Sequence, residues 1–133
     1  MNLLLDTHVL VWAESSEARL GPRTRALLLD PANTLLVSPV TALELSRLIA
    51  LSRLALRKSL QDWFSTARRN LGFLDAPLSA SAAIDTYQLP PGFHKDPADR
   101  MLVATARELG CPLLTADDLI LAYPHVQSLD ARE

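Results

Sequence analysis

Apolar residues in this chain fall into short unbroken runs and into longer stripes at three-and-four spacing, and the two kinds alternate. Leu3-Leu4-Leu5 and Thr34-Leu35-Leu36-Val37 are continuous runs, as are Pro112 to Thr115 and Val126 to Leu129, with a weaker one over Phe73 to Asp75. Runs this short fit strands buried on both faces, as in a parallel sheet. Between them lie helical segments: Thr7 to Ala13, Arg23 to Leu29, Pro39 through Leu51, Leu60 to Asn70, Ser79 to Tyr87, Pro97 to Leu109 and Asp118 to Tyr123. Ser38 and Pro39 suit the N-cap and first helical position, and Gly110 suits a C-terminal stop. Residues 89–95, rich in Pro and Gly, read as a loop. Strands alternating with helices predict a three-layer α/β/α architecture with a central parallel sheet, built as one domain over residues 1–133.

Composition narrows the chemistry. The chain is 49% hydrophobic and 21% charged, which excludes a disordered protein, and only 5% aromatic, so Leu, Ala and Val must fill the core. A net charge of −2 excludes a strong global field for nucleic acid but leaves room for a local basic rim. Cys111 is the single cysteine, so an intrachain disulfide and a thiolate zinc site are not expected. A reducing cytoplasm is the expected compartment. Asp6 interrupts the first apolar run, so the start does not read as a secretion signal, and no stretch approaches the roughly 18 apolar residues of a membrane span.

Asp6 follows the first strand and Asp117 the fourth, so both reach the carboxyl edge of the sheet, where open α/β sheets bind ligands. Either one could equally be a helix N-cap. Glu44 shares a helical stripe with Val40, Leu48 and Leu51, and a carboxylate in such a stripe is expected to face the protein, where it needs a cation, a proton or donors. An ion pair with Arg47 is the bland alternative. In His94-Lys95-Asp96-Pro97-Ala98-Asp99-Arg100, Pro97 at the first helical position makes Asp96 the N-cap and Asp99 the third helical residue. Four acids from four segments converging on one edge would suit a hard divalent cation, Mg²⁺ or Mn²⁺, and phosphodiester chemistry.

Taken together, Leu3 to Trp12, Val37-Ser38 with Glu44, His94 to Ala104, and Leu113 to Asp117 resemble the PIN-domain ribonucleases, and among them the VapC toxins of bacterial toxin–antitoxin pairs. The resemblance implies a PIN-like fold and a Mg²⁺/Mn²⁺-dependent endoribonuclease. The family's acids fall on Asp6, Glu44, Asp99 and Asp117, as catalytic residues and metal ligands. Thr7 and Thr115 stand where a hydroxyl often neighbours the metal. It further implies an RNA substrate such as tRNA or ribosomal RNA, a homodimer, a cognate VapB-like antitoxin that inserts a segment into the acidic pocket, and no membrane partner.

Other residues read more plainly. Asp96 and Asp118 are extra acids beside the set. His8 and His94 are read as packing or hydrogen-bonding residues, and Trp12 and Trp63 as core or dimer contacts. Arg47, Lys95 and Arg100 are candidate phosphate contacts by their nearness to the acids, and Cys111 is a small buried hydrophobe. The alternatives are a catalytically silent PIN-like partner-binding module and a phosphohydrolase using Asp6 as nucleophile. For the latter the second Asp of the haloacid-dehalogenase pattern is replaced by His8.

Overall fold

A computed structural model describes residues 1–133. Five parallel strands form one sheet in the order β3-β2-β1-β4-β5: β1 (Asn2–Leu5), β2 (Thr34–Val37), β3 (Leu74–Asp75), β4 (Leu113–Thr115) and β5 (Ser128–Asp130). The helices are α1 (Thr7–Ser15), α2 (Pro22–Leu29), α3 (Pro39–Ala50), α4 (Leu60–Leu71), α5 (Ala80–Asp85), α6 (Pro97–Leu109) and α7 (Asp118–Ala122). None of them is long and apolar enough to cross a membrane.

The three-leucine run explains the centre of the molecule. Side chains alternate across a strand. Leu3 and Leu5 therefore enter one core, with Val9 and Leu10 of α1, Leu45 of α3 and Trp63 and Ala67 of α4. Leu4 points the other way, into a second core with Leu102, Val103 and Ala106 of α6 and Ile120 of α7. All three leucines are fully buried. Each such side chain contributes about 1.5–3 kcal/mol of burial. This is the layering the pattern predicts, and it requires β1 to sit mid-sheet.

The chain runs outward from β1 through β2 to β3, then crosses back to place β4 on the other side of β1. Strand order reverses between β1 and β4, and a crevice opens there at the carboxyl edge. The backbone N–H of Asp6 donates to Leu114 O at 2.9 Å, tying the first residue past β1 to β4.

Several boundaries differ from expectation. A single 3₁₀ turn, Glu17–Arg19, stands where nothing was expected. The helix begun by Ser79 ends at Asp85, and the residues after it form turns. The last strand starts later than Val126: that residue packs under the second core instead, and Leu113 N bonds to Gln127 O.

The buried face of α3 is also rotated from the stripe through residues 40, 44, 48 and 51. It runs through Val40, Thr41 and Leu45, while Leu51 is 48% exposed. Helix α3 is wedged between α1 and α4 on one side and α6 on the other, so its inner face is set by those neighbours. Glu44 consequently lies half-buried at the margin of that face.

Candidate metal centre

Asp6 ends β1 and caps α1. One carboxylate oxygen, Oδ1, accepts from Thr7 N at 2.7 Å; the other, Oδ2, accepts from Thr115 Oγ1 at 2.6 Å. Only 5% of Asp6 is exposed. Burial raises its carboxyl above the ordinary range, the Thr115 and Thr7 hydrogen bonds pull it back, and Glu44 adds to the rise. Thr115 Oγ1 also accepts from Asp117 N at 3.0 Å, so one hydroxyl links the acids that follow β1 and β4.

Asp117 caps α7: its Oδ1 accepts from Leu119 N at 2.8 Å and Ile120 N at 3.3 Å. Asp96 caps α6, with Oδ1 accepting from Asp99 N at 3.0 Å. The cap readings of Asp6, Asp96 and Asp117 are therefore correct as local structure. They do not keep these residues out of the crevice. Asp6, Glu44, Asp96, Asp99 and Asp117 line one cavity of about 340 Å³, with His8, Trp12 and Ala116. No Lys or Arg lines it.

Asp99 is the member common to the close contacts. Carboxylate oxygens of Glu44, Asp96 and Asp99 lie within 4.8 Å of one another, and so do ligand atoms of His94, Asp99 and Asp117. Asp6 belongs to neither close group and sits deeper in the same cavity. Burial first, then the nearby charges of Asp6, Asp96, Asp117 and Glu44, push the Asp99 carboxyl up to about 8. Near neutral pH, then, the protein by itself holds a proton among these acids. The donor set is all hard oxygen apart from one imidazole, with no thiolate, and it fits Mg²⁺ or Mn²⁺. The wall carries several carboxylates and no lysine or arginine.

Some expectations are redirected. The Thr7 hydroxyl faces away from the acids and bonds Thr41 Oγ1 at 3.2 Å, leaving Thr115 as the hydroxyl at the site. Asp118 is exposed and paired with Arg132 at 2.6 Å, outside the cavity. Arg100 is not free for a phosphate, since its guanidinium donates to the carbonyls of His94 (2.8 Å), Thr86 and Phe93 (both 3.2 Å). Glu44 makes no ion pair with Arg47; Arg47 lines an adjoining depression with Val40, Leu43 and Met101, and with Glu44 and Asp96, which that depression shares with the acidic cavity. Lys95 is exposed in the loop before α6. Trp63 and Cys111 are core residues, and Trp12 packs against the first core while also lining the acidic cavity. The residue that sequence reasoning undervalued is His94, whose Nε2 lies 3.1 Å from Asp99 Oδ2.

The PIN domain family model matches residues 3–125. Ribonuclease VapC22 of Mycobacterium tuberculosis (strain ATCC 25618 / H37Rv) is 29% identical over 123 residues, covering 92% of each chain. Among solved structures, a chain of VapBC2 from Rickettsia felis, bound to a DNA fragment from its promoter, superposes with a TM-score of 0.70. It shows 16% identity over 97% of this chain and 98% of that one. A chain of VapBC-1 from nontypeable Haemophilus influenzae gives a TM-score of 0.70 at 15% identity, with full coverage of both chains. A chain of VapBC-5, a toxin–antitoxin system of Mycobacterium tuberculosis, gives 0.63 at 21%, over 96% and 97%.

Proposed function

The chain belongs to the PIN-domain family, and from that premise we propose that it is a Mg²⁺- or Mn²⁺-dependent endoribonuclease, the toxin of a toxin–antitoxin pair. One observation carries the reading: five carboxylates line the crevice between β1 and β4 and no Lys or Arg lines it with them. A phosphodiester is repelled by such a wall unless a cation intervenes. When bound, a divalent ion supplies an activated water and neutralises charge on the phosphate.

The chain's own residues have distinct tasks. Asp6, Glu44, Asp99 and Asp117 hold the ion, and Asp96 caps α6 beside them. Thr115 keeps the Asp6 carboxylate in one orientation, and its hydroxyl also fixes the backbone N–H of Asp117. Asp99 would hold an ion only in its ionised form. Trp12 and the exposed His8 form the cavity rim on the α1 side, where an RNA strand would approach.

The partners follow from the same reading. The substrate is RNA, of the tRNA or ribosomal class. The antitoxin is VapB-like, and an arginine from it can neutralise the cavity in place of the ion. A homodimer is proposed through α3, whose Leu43 (64% exposed) and Leu51 leave an apolar surface uncovered. The test is cleavage of an end-labelled RNA pool by the purified chain in Mn²⁺, Mg²⁺ or excess EDTA. The proposal expects cutting in the metals and none in EDTA. Equal cutting in chelator, or none under any condition by a folded chain, overturns it.

A further inference from the structure

The loop before α6 brings an imidazole onto the acid at the middle of the cluster. His94 Nε2 is 3.1 Å from Asp99 Oδ2 and is completely shielded from solvent. The approach is off the line of a well-formed hydrogen bond, so this buried nitrogen has no aligned partner in the protein alone. Buried polar atoms left in that condition are uncommon and costly.

The ring is held where it is by several contacts. Arg100 Nε grips the His94 carbonyl at 2.8 Å and its terminal nitrogens hold Phe93 O and Thr86 O. The Phe93 ring packs on the His94 ring at 4.4 Å and on Tyr123 at 4.8 Å. An arginine one turn into α6 thus fastens the loop that carries the imidazole, while Asp99 projects from the same first turn.

The other ring nitrogen favours one tautomer. Nδ1 lies 3.4 Å from Asp96 N, placed as a long acceptor. A ring that accepts at Nδ1 has Nε2–H facing the carboxylate, and that is the tautomer the proposed role uses. In that form Nε2 has no lone pair to offer a metal. The closeness of His94 to Asp99 and Asp117 would otherwise suggest a nitrogen ligand.

We propose that His94 is a positioning residue: its buried Nε2 stands 3.1 Å from Asp99 Oδ2 as the donor that this oxygen swings into line with when the other Asp99 oxygen meets the metal. This rests on the metal-site reading above. Hydrogen-bonded partners behind ligating carboxylates orient them, and their loss weakens metal affinity by about 10–100-fold.

The experiment measures Mn²⁺ affinity of the full chain by calorimetry and by the electron paramagnetic resonance of free Mn²⁺. The wild type is compared with His94→Ala and His94→Gln, and thermal melting in EDTA checks that each variant folds. Gln can place an amide N–H where Nε2–H stood. The expected result is about tenfold weaker binding in His94→Ala, recovery of most of it in His94→Gln, and no directly bound nitrogen in the electron spin-echo spectrum of the wild-type Mn²⁺ complex. Unchanged affinity in folded His94→Ala overturns the proposal while leaving the metal site standing. Direct nitrogen coupling overturns it in favour of a ligand. If His94→Ala does not fold, the His94→Gln affinity and the wild-type spectrum still decide. A wild-type chain that binds no Mn²⁺ removes the metal site and this inference together.

Discussion

Two adjacent residues, Asp117 and Asp118, enter two opposite kinds of acidic cluster. Asp118 joins Asp130 around Arg132, which bonds Asp118 at 2.6 Å and Asp130 at 2.9 and 3.0 Å. Asp117 joins Asp6, Glu44, Asp96 and Asp99 around a cavity lined by no Lys or Arg. The first cluster contains its cation; the second lacks one. The carboxyls respond in opposite directions. Arg132 holds Asp130 below the ordinary range, whereas burial lifts Asp6, and burial with crowding lifts Asp99 to about 8. A cluster neutralised by its own arginine is structural. One that keeps a proton to tolerate itself is the kind on which the metal proposal rests.

The largest effect expected from breaking this contrast is on cleavage. Asp6→Asn and Asp99→Asn should each lower the RNA cleavage rate in Mn²⁺ by more than the roughly 100-fold seen when outer partners of ligands are lost. In EDTA the Asp99→Asn protein should melt at or above the wild-type temperature, since Asn cannot add a charge to the crowded acids. Single-turnover rates and melting curves check both halves. A live Asp99→Asn enzyme would remove Asp99 from the site.

Next in size is a pH effect. Burial and the neighbouring carboxylates push the Asp99 carboxyl up to about 8 in the folded chain, from an ordinary value of 3.8. Between those values the folded protein keeps a proton that the unfolded chain has released. Stability in EDTA should therefore fall as pH rises from about 4 toward about 8 and then level off. The lowered Asp130 acts in the opposite sense: its contribution is present at neutral pH and fades in acid, weakened by solvent screening. Denaturant titrations of wild type and Asp99→Asn across this range should show the fall in the first and its loss in the second.

Asp96 tests whether a cap can lie in the cavity without serving it. Asp96→Ala should cost about 1 kcal/mol and Asp96→Ser much less, with most of the cleavage rate kept in the Ser variant. A folded Asp96→Ser protein as inactive as Asp99→Asn would make Asp96 a working ligand. The smallest effect belongs to the satisfied cluster. Asp118 has an 81% exposed side chain, and Asp118→Asn should change stability by no more than about 0.5 kcal/mol and leave cleavage unaltered.

Much of this was legible from residue order. The Leu3–Leu5 run placed β1 at the centre, Ser38-Pro39 and Asp96-Pro97 marked two helix starts, and Gly110, at φ 62°, marked a helix end. Asp6 and Asp117 could be placed side by side because strand ends in a parallel sheet share an edge. What could not be read depended on neighbours far along the chain. The buried face of α3 is chosen by α1, α4 and α6, so Glu44 sits at a margin that no local period reveals. Thr7 turned to Thr41, a partner 34 residues away. Arg100 looked like a phosphate contact until the carbonyls of the preceding loop claimed it. His94 left a faint signal: it stands just ahead of the Asp96 cap, where residues often fold back over the first helical turn.

The most direct test of the account is Mn²⁺ titration of three proteins, the wild type, Asp99→Asn and Asp118→Asn, in two buffers of different ionisation enthalpy. The unsatisfied cluster should bind Mn²⁺ with release of protons near neutral pH. Asp118→Asn should bind as tightly as the wild type, and Asp99→Asn should bind far more weakly and release fewer protons. Equal binding by all three proteins, or wild-type binding without proton release, would contradict the claim that these carboxylates await a cation.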